Sequence, residues 1–322
     1  MVNPLLETKN LHVSIRAPHG TIFLIHEINI SIQRGEIFAL VGESGSGKTT
    51  LANALTKLYP PFSSFEISGE VCFAETNLLQ LDNFVLRQIR GHNIRYVFQE
   101  PAQSLNPILR IKTQFVDAIR TVDPMDAKTA EEKAKRSLVK VGIENPDDVL
   151  KSYPHELSGG TLQRILIAMA LSSEPELIIA DEPTSSVDSP LRLQLLDLLD
   201  STRNSSNSSI LLITHDLDIA HRYADTVAVM YAGRIIEEAP KRLFFDSPHH
   251  PYSQILCGKT HTTDSSFDEF EAIHNNPIHP SDDQSGCAFH HLCYKAREDC
   301  RSVEPPLAMI DAERKLRCPY WK

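Results

Sequence analysis

The amino-acid sequence predicts an α/β fold, because short apolar runs alternate with amphipathic helical stretches over about the first 240 residues. Three continuous apolar runs, at Ile37–Val41, Leu177–Ala180 and Ile210–Ile213, are typical of strands buried on both faces of a parallel sheet. A glycine-rich segment follows the first run, and a helical pattern follows that segment. We therefore expect an α/β core in which buried strands alternate with helices.

The composition is that of a globular protein and excludes several classes of chain. Of the 322 residues, 41% are apolar and 23% are charged, which excludes a mostly disordered chain. No apolar run approaches the roughly 18 residues of a membrane-spanning helix. The N-terminal segment has no basic region followed by an apolar core, so no export signal is expected. The net charge of −10 disfavours a wide nucleic-acid-binding face.

Residues 5–41 begin the chain with strand-like patterns, in which apolar side chains recur at every second position. A helix with Leu51, Leu55 and Leu58 on one face follows the glycine-rich segment. The alternating apolar positions of the first strands are Leu11, Val13, Ile15, Ile28, Ile30 and Ile32. This part of the chain therefore predicts several strands followed by one helix.

A helical and more polar region extends over about residues 100–173. Within it, Ala127–Val141 places charges around an apolar stripe, and Gly142 marks the predicted end of the helix. Leu191–Leu199 predicts a further amphipathic helix, and Ser205–Ser209 predicts a polar turn after it. The helices thus separate the buried strands, as an α/β core requires.

A hairpin is predicted over Thr226–Glu237, with its turn at Ala232–Gly233. Just beyond it, near Pro240, histidine, serine, aspartate and proline become frequent and the periodicity fades. We therefore expect a main domain over residues 1–240 and a C-terminal extension over residues 241–322.

The glycine-rich segment Gly42-Glu43-Ser44-Gly45-Ser46-Gly47-Lys48-Thr49 fits the pattern G-x-x-x-x-G-K-[ST] in full. Glycines let backbone N–H groups curl around phosphates, and the start of the following helix favours an anion. Lys48 is expected to reach the β- and γ-phosphates, and the Thr49 hydroxyl to bind Mg²⁺. The candidate nucleotide-binding residues here are Gly42, Glu43, Ser44, Gly45, Ser46, Gly47, Lys48, Thr49 and Thr50.

Two acidic residues, Asp181 and Glu182, end the buried run Leu177–Ala180. An ionised carboxylate at the end of a buried strand needs a cation or a proton nearby. We expect Asp181 to hold Mg²⁺ through water, and Glu182 to act as the base that polarises an attacking water. The alternative is that both are ordinary solvent-exposed acids in a turn. The phosphate-binding pattern in the same chain disfavours that alternative.

A Ser-Gly-Gly turn, in Leu157-Ser158-Gly159-Gly160, begins another helical stretch and predicts a second anion-binding site. Two phosphate sites in one chain make sense if they serve opposite sides of a dimer. The ordered set of motifs over residues 5–240 resembles the ATPase subunit of an ATP-binding cassette (ABC) transporter. The resemblance implies a nucleotide-binding domain with a RecA-like core, an antiparallel β subdomain and a helical signature subdomain, and it implies ATP and Mg²⁺ as cofactors.

The resemblance also implies roles for single residues, each in its own motif. Gln99 should touch Mg²⁺ and sense the helical subdomain that contacts the membrane partner. Ser158 and Gly160 should bind the γ-phosphate of the nucleotide on the opposite subunit, and Asp188 should couple the two sites. His215 should contact the γ-phosphate and orient the attacking water.

The chain departs from the family pattern at a few positions. Thr161 replaces the usual Gln or Glu of the signature, which leaves open whether this subunit forms two strong sites or pairs with a different ATPase. Ser186 stands where alanine is usual. The adenine-stacking aromatic is not assigned, because Ile15, His19 and Phe23 all lie near the equivalent position.

Three further segments narrow the resemblance to the peptide and nickel importers of this family. Phe98-Gln99-Glu100-Pro101 with Ser104-Leu105-Asn106-Pro107 resembles the glutamine loop of oligopeptide and dipeptide importers. His250-Pro251-Tyr252-Ser253 and Gly286-Cys287-Ala288-Phe289 resemble their C-terminal extension. Nickel importers share many of these features, so the segments indicate the type of transporter more specifically than its cargo.

Four cysteines, Cys287, Cys293, Cys300 and Cys318, lie in the last 36 residues with gaps of five, six and seventeen residues. Thiolates are ligands for zinc or for an iron–sulfur cluster, and zinc sites usually begin with closer pairs. The spacing therefore favours a [4Fe–4S] cluster, a pattern that resembles some peptide importers. Zinc and free thiols are the alternatives, and disulfides are not expected without an export signal.

From these patterns we predict the ATP-hydrolysing subunit of an ABC importer that takes up di- or oligopeptides. The resemblance implies a second ATPase subunit, identical or related, two transmembrane permease subunits and, indirectly, an extracytoplasmic peptide-binding protein. It implies a peripheral location on the cytoplasmic face of the membrane and no nucleic acid. An importer of nickel or another small cargo is the alternative, followed by a soluble ABC ATPase acting on nucleic acid and by a metal-binding regulator.

Overall fold

Two β-sheets form the frame of the protein, whose computed structural model describes residues 3–17, 20–59, 64–184, 187, 189–259 and 285–321. The strands are Leu6–Ala17 (β1), Gly20–Ile28 (β2), Ser31–Ile32 (β3), Ile37–Val41 (β4), Phe65–Phe73 (β5), Thr76–Asn77 (β6), Ile94–Val97 (β7), Leu177–Asp181 (β8), Ser209–Thr214 (β9), Thr226–Tyr231 (β10), Arg234–Pro240 (β11), Ala308–Met309 (β12) and Lys315–Leu316 (β13). The helices are Lys48–Thr56 (α1), Asn83–His92 (α2), Pro101–Ser104 (α3), Ile111–Val122 (α4), Ala127–Lys140 (α5), Pro146–Lys151 (α6), Gly159–Leu171 (α7), Ser189–Ser206 (α8), Leu217–Tyr223 (α9), Lys241–Asp246 (α10) and Pro251–Leu256 (α11).

The larger sheet has the strand order β12-β13-β11-β10-β4-β9-β8-β7, and its run from β10 to β7 is parallel. Strands β4, β8 and β9 are buried at every position, which explains their continuous apolar runs and confirms the predicted sheet core. The in-register pairs Ile37↔Ile210 and Leu177↔Ser209 align the strand ends. The carboxyl ends of β4, β8 and β9 therefore meet at one edge of the sheet, which is where the candidate site lies.

The smaller sheet is antiparallel, in the order β2-β1-β5-β6, with β3 pairing with β1. Between the two sheets lie apolar side chains that include Val13, Ile25, Leu40 and Leu55. A helical region, α3–α7, occupies Pro101–Leu171 and packs its own apolar side chains against the other side of the larger sheet. The predicted antiparallel and helical subdomains are thus confirmed.

Local boundaries differ from the predictions where backbone capping decides them. Helix α1 ends at Thr56 because Lys57 adopts a left-handed conformation, with φ 51°, so Leu58 lies beyond the helix. Helix α8 continues through Ser205 and Ser206, whose hydroxyls donate to the Thr202 carbonyl. The predicted polar turn is therefore shorter than expected, because these serines bond to the helix backbone instead of ending it.

The C-terminal residues add to the larger sheet, which was not predicted. Strand β13 pairs with β11 in the registers Glu237↔Leu316 and Glu238↔Lys315. Phe289 is buried with Tyr231, Phe244 and Tyr252 in one apolar cluster beside the sheet. In the parts of the chain that the structure describes, no helix combines the length and apolar character needed to cross a bilayer.

Candidate functional site

The glycine-rich loop 42–47 joins β4 to α1 and needs glycine for steric reasons. Gly42 has φ 150°, and a Cβ there would lie 2.3 Å from the Met230 carbonyl oxygen. Gly47 has φ 107° and forms the N-cap of α1, where its missing side chain leaves room for Ile25 and Met230. The backbone thus curls tightly between two strands and presents the start of a helix.

Lys48 lies at the first position of α1 and is buried, with 5% of its surface exposed. Its Nζ donates to the carbonyl oxygens of Gly42 and Glu43, both at 2.7 Å. Burial lowers the pKa of Lys48, and the nearby carboxylates of Glu182 and Asp181 oppose that shift. The loop therefore holds an ammonium group that can exchange carbonyl oxygens for phosphate oxygens.

Asp181 ends β8 and is buried beside the same helix start. Tyr96 donates its hydroxyl hydrogen to Asp181 Oδ2 at 2.9 Å. Asp181 Oδ1 is buried and makes no hydrogen bond of ordinary geometry within the described residues. Burial raises the pKa of the Asp181 carboxyl, and the nearby Thr49 hydroxyl opposes that shift. A buried carboxylate oxygen facing a threonine hydroxyl fits Mg²⁺, which prefers oxygen ligands.

Glu182 joins Gln99 and His215 in one hydrogen-bonded group. Gln99 Nε2 donates to Glu182 Oε2, and His215 Nδ1 lies against Glu182 Oε1, each at 2.9 Å. Glu182 adopts φ 44°, an unusual conformation for a non-glycine residue, and its backbone N–H donates to the Ile213 carbonyl at 3.0 Å. The strand end is thereby bent so that the carboxylate points at the glutamine and the histidine.

A cavity of about 570 Å³ connects the loop with this group. That size is within the range of ligand pockets in proteins. Its lining residues are Gly42, Glu43, Ser44, Gln99, Glu182, His215, Leu217 and Leu256. Of these, Leu217 and Leu256 were not singled out from the sequence, since an apolar side chain in a helix carries no chemical signal.

The Ser-Gly-Gly turn at residues 158–160 does not line this cavity. Ser158 forms the N-cap of α7, and its Oγ accepts the Thr161 N–H at 3.2 Å. Ser158 and Gly159 are exposed, and a Cβ added at Gly160 would meet no atom within 4 Å. The turn is thus open to a second molecule.

Some predicted positions stay without a structural placement. Asp188, Ser186 and His19 lie outside the described residues. Phe23 is 41% exposed on β2, with its ring 5.2 Å from that of His26 and 6.0 Å from that of His12. Neither Phe23 nor Ile15 lines the nucleotide-sized cavity, so the adenine contact stays unassigned.

The four C-terminal cysteines line one apolar cavity of about 290 Å³, together with His290, Trp321 and several prolines. Burial raises the pKa of Cys287 to about 11 and that of Cys293 to about 12. Among the described residues, no three His, Cys, Asp or Glu side chains are close enough together to hold a single metal ion. The remaining cysteines, Cys72 and Cys257, do not line this cavity.

Sequence reasoning missed two tyrosines that hold site residues in place. Tyr96 fixes Asp181, and the Tyr252 hydroxyl accepts the Glu43 N–H of the glycine-rich loop at 3.2 Å. Tyr252 was singled out only as part of a resemblance, and no spacing in the sequence could predict its contact with a residue 209 positions away.

The comparisons with known proteins agree with this geometry. The family described as "ABC transporter" matches residues 25–185, and "Oligopeptide/dipeptide transporter, C-terminal region" matches residues 236–300. The dipeptide transport ATP-binding protein DppD of Bacillus subtilis is 36% identical over 98% of this chain and 94% of its own length. The oligopeptide transport ATP-binding protein OppD of Lactococcus lactis subsp. cremoris is 38% identical over 84% of this chain and 79% of its own.

Among solved structures, the ATP-binding cassette MJ0796 in a dimeric post-hydrolysis state, bound to ADP and Pi, has a TM-score of 0.67 and 27% identity. The match covers 74% of this chain and 99% of that one. CbiO1 from Clostridium perfringens, part of the transporter complex CbiONQ, has a TM-score of 0.62 at 27% identity, over 76% of this chain and 92% of its own. The chain therefore belongs to the ATP-binding subunits of ABC transporters and is an ATPase of that family.

Proposed function

We propose that this ATPase powers the import of di- or oligopeptides through a pair of transmembrane permease subunits. The observation that carries the proposal is that Gln99, Glu182 and His215 line one cavity with the glycine-rich loop. Lys48 is held against the same loop through the Gly42 and Glu43 carbonyls, and the turn at Ser158 is exposed. The cargo rests on the relatives named for dipeptide and oligopeptide transport and on the matching C-terminal region.

The residues that line the cavity and those of the adjoining loop and strand end have separate roles in hydrolysis. Lys48 and the N–H groups of its loop bind the β- and γ-phosphates, while Thr49 and Asp181 would hold Mg²⁺, which neutralises phosphate charge when bound. Glu182 accepts the proton of the attacking water, whose oxygen bonds to the γ-phosphorus as the bond to ADP breaks. His215 and Gln99 orient the Glu182 carboxylate through their 2.9 Å contacts.

Two such subunits would enclose two nucleotides between them. Ser158, Gly159 and Gly160 would contact the γ-phosphate bound to the opposite subunit, and Asp188 would couple the two sites. The exposed position of Ser158 and Gly159 supports this arrangement, and among the described residues no atom lies within 4 Å of a Cβ built on Gly160. ATP binding would then close the dimer and hydrolysis would reopen it.

The permease contact would lie around the loop that carries Gln99. Large apolar side chains are exposed on the elements next to this loop, and an exposed apolar patch marks a protein–protein contact. They are Phe84, Val85, Phe98, Ile108 and Leu109. We place the subunit on the cytoplasmic face of the membrane, with an ATPase domain at residues 1–240, its helical part at about 100–173, and the extension at 241–322.

Two substitutions distinguish the two phosphate-binding turns. Lys48→Ala should weaken MgATP binding to this subunit itself, because it removes the cation at the loop. Ser158→Arg should leave that binding intact and block ATP-driven dimerisation, because the long cationic side chain fills the space for the partner's nucleotide. Nucleotide affinity is measured on the isolated subunit and dimerisation by size-exclusion chromatography. Loss of nucleotide binding in isolated Ser158→Arg would contradict the two-sided assignment.

We also propose that Cys287, Cys293, Cys300 and Cys318 hold a [4Fe–4S] cluster in the C-terminal cavity. Four cysteines converge on it. Within the part of the chain that the structure describes, no three His, Cys, Asp or Glu side chains are placed to hold a single metal ion. Bound iron would also keep as thiolates the cysteines whose pKa burial raises.

Protein purified without oxygen should therefore be brown and contain about four irons per chain. Cys293→Ser should bleach the protein and lower its iron content, because it removes one of the four ligands. Cys72→Ser, which changes a cysteine outside the cavity, should keep colour and iron. Colourless anaerobic wild-type protein, with or without one zinc, would contradict the cluster.

A further inference from the structure

The fully buried Tyr252 connects the nucleotide loop with the C-terminal extension. Its hydroxyl accepts the Glu43 N–H at 3.2 Å, and Leu256, on the same helix α11, lines the nucleotide-sized cavity. Burial raises the pKa of Tyr252, so its hydroxyl is neutral at physiological pH. The contact therefore holds without any change of charge.

Glu43 passes this restraint on to the catalytic lysine. Its carbonyl oxygen accepts Lys48 Nζ at 2.7 Å and the Ser46 N–H at 3.2 Å. Tyr252 thus fixes one side of Glu43, and the other side of Glu43 fixes Lys48. The Glu43 N–H is directed to Tyr252 and not to an anion, which leaves phosphate binding to the later N–H groups of the loop.

Tyr252 is itself held by residues of the extension. The His250 side chain is fully buried and accepts the Tyr252 N–H at 3.1 Å. The Tyr252 ring lies 4.7 Å from that of Tyr231 and 5.4 Å from that of Phe289. Phe289 follows Cys287, which lines the cysteine cavity, by two residues. The extension therefore packs against the Tyr252 ring, and the Tyr252 hydroxyl contacts the glycine-rich loop.

We propose that Tyr252 is a positioning residue for the phosphate loop, through which the cysteine-bearing extension sets the affinity for nucleotide. Tyr252 does not touch the nucleotide cavity's reacting groups; it acts on Lys48 through Glu43. An extension packed through Phe289 holds the loop in the shape that binds phosphate, and a loosened extension releases it.

The test compares three conservative variants of the full chain. Tyr252→Phe removes the acceptor of one hydrogen bond and should weaken MgATP and MgADP binding about three- to ten-fold, the range expected for one net hydrogen bond. KM for ATP should rise by the same factor, with a smaller change in kcat. Tyr231→Phe removes a hydroxyl from the same aromatic cluster, leaves the Glu43 contact in place, and should change Kd less than two-fold.

Phe289→Leu tests the link to the extension, because it leaves the Tyr252 hydroxyl and loosens only its support. We expect a Kd for MgADP that is about two- to five-fold higher than that of the wild type. This variant also tests the inference if Tyr252→Phe does not fold. Wild-type nucleotide affinity in both Tyr252→Phe and Phe289→Leu would overturn the inference, and it would not count against ATP binding by this chain. Failure of the wild-type chain to bind MgATP would instead count against the proposed function.

Discussion

ATP turnover should fall by at least about 100-fold when Glu182 is replaced by Gln, the lower range for loss of a general base. Glutamine keeps the size of the side chain and still forms hydrogen bonds with Gln99 and His215, but it cannot accept a proton from water. MgATP should bind as before, because the loop and Lys48 are unchanged. The variant should therefore accumulate as an ATP-bound dimer, measured by size-exclusion chromatography beside steady-state turnover.

Glu176→Gln is a matched control, because it makes the same chemical change just before the opposite end of β8. Glu176 pairs with Arg34 at 2.6 Å and accepts a hydrogen bond from Asn93, away from the cavity. Its turnover should stay within two-fold of wild type. Near-normal turnover of Glu182→Gln in the assembled complex would reject Glu182 as the base.

The second large effect concerns how the extension is attached. Arg314→Met should lower the free energy of unfolding by roughly 3–5 kcal/mol, the typical cost of removing one partner of a buried ion pair. Arg314 Nη1 donates to Glu237 Oε1 at 3.1 Å, and both side chains are at most 3% exposed. Burial raises the pKa of Glu237, and in the wild-type protein the positive charge of Arg314 opposes that shift. Urea unfolding of the full chain measures the loss.

Two further variants separate the buried charge from a general effect of losing arginine. Adding Glu237→Gln to Arg314→Met should recover part of the stability, because no unpaired carboxylate is then buried. Arg222→Met breaks an exposed pair with Asp197 at 3.3 Å and should cost at most about 1 kcal/mol. An equal, small cost for Arg314→Met and Arg222→Met would show that the buried pair does not anchor the extension.

The sheet core and the shape of the glycine-rich loop could be predicted, because both depend on local sequence patterns. Ile37–Val41 and Leu177–Ala180 are apolar throughout since β4 and β8 are buried on both faces. Lys48 stands in a motif whose glycines are needed by the backbone itself, as the 2.3 Å approach to Met230 at Gly42 shows. Asp181 and Glu182 follow a buried strand directly, so their place at the sheet edge follows from the strand.

The attachment of the extension could not be predicted, because it depends on pairs far apart in the chain. Arg314 looks like a surface charge in sequence, and its partner Glu237 lies 77 residues away. Strand β13 has only two residues, too few for a pattern of period two. Tyr252 likewise meets Glu43 only after β4, β10 and α11 have come together.

The most direct test of the proposed function is uptake of a labelled dipeptide or oligopeptide into proteoliposomes. The proteoliposomes contain the complex of this chain with its permease subunits, purified by a tag on this chain, and the binding protein is added. We predict uptake that requires ATP, stops with Glu182→Gln and is unaffected by Glu176→Gln. ATP hydrolysis by the same complex with no peptide uptake, or with uptake of Ni²⁺ in place of peptide, would contradict the proposal.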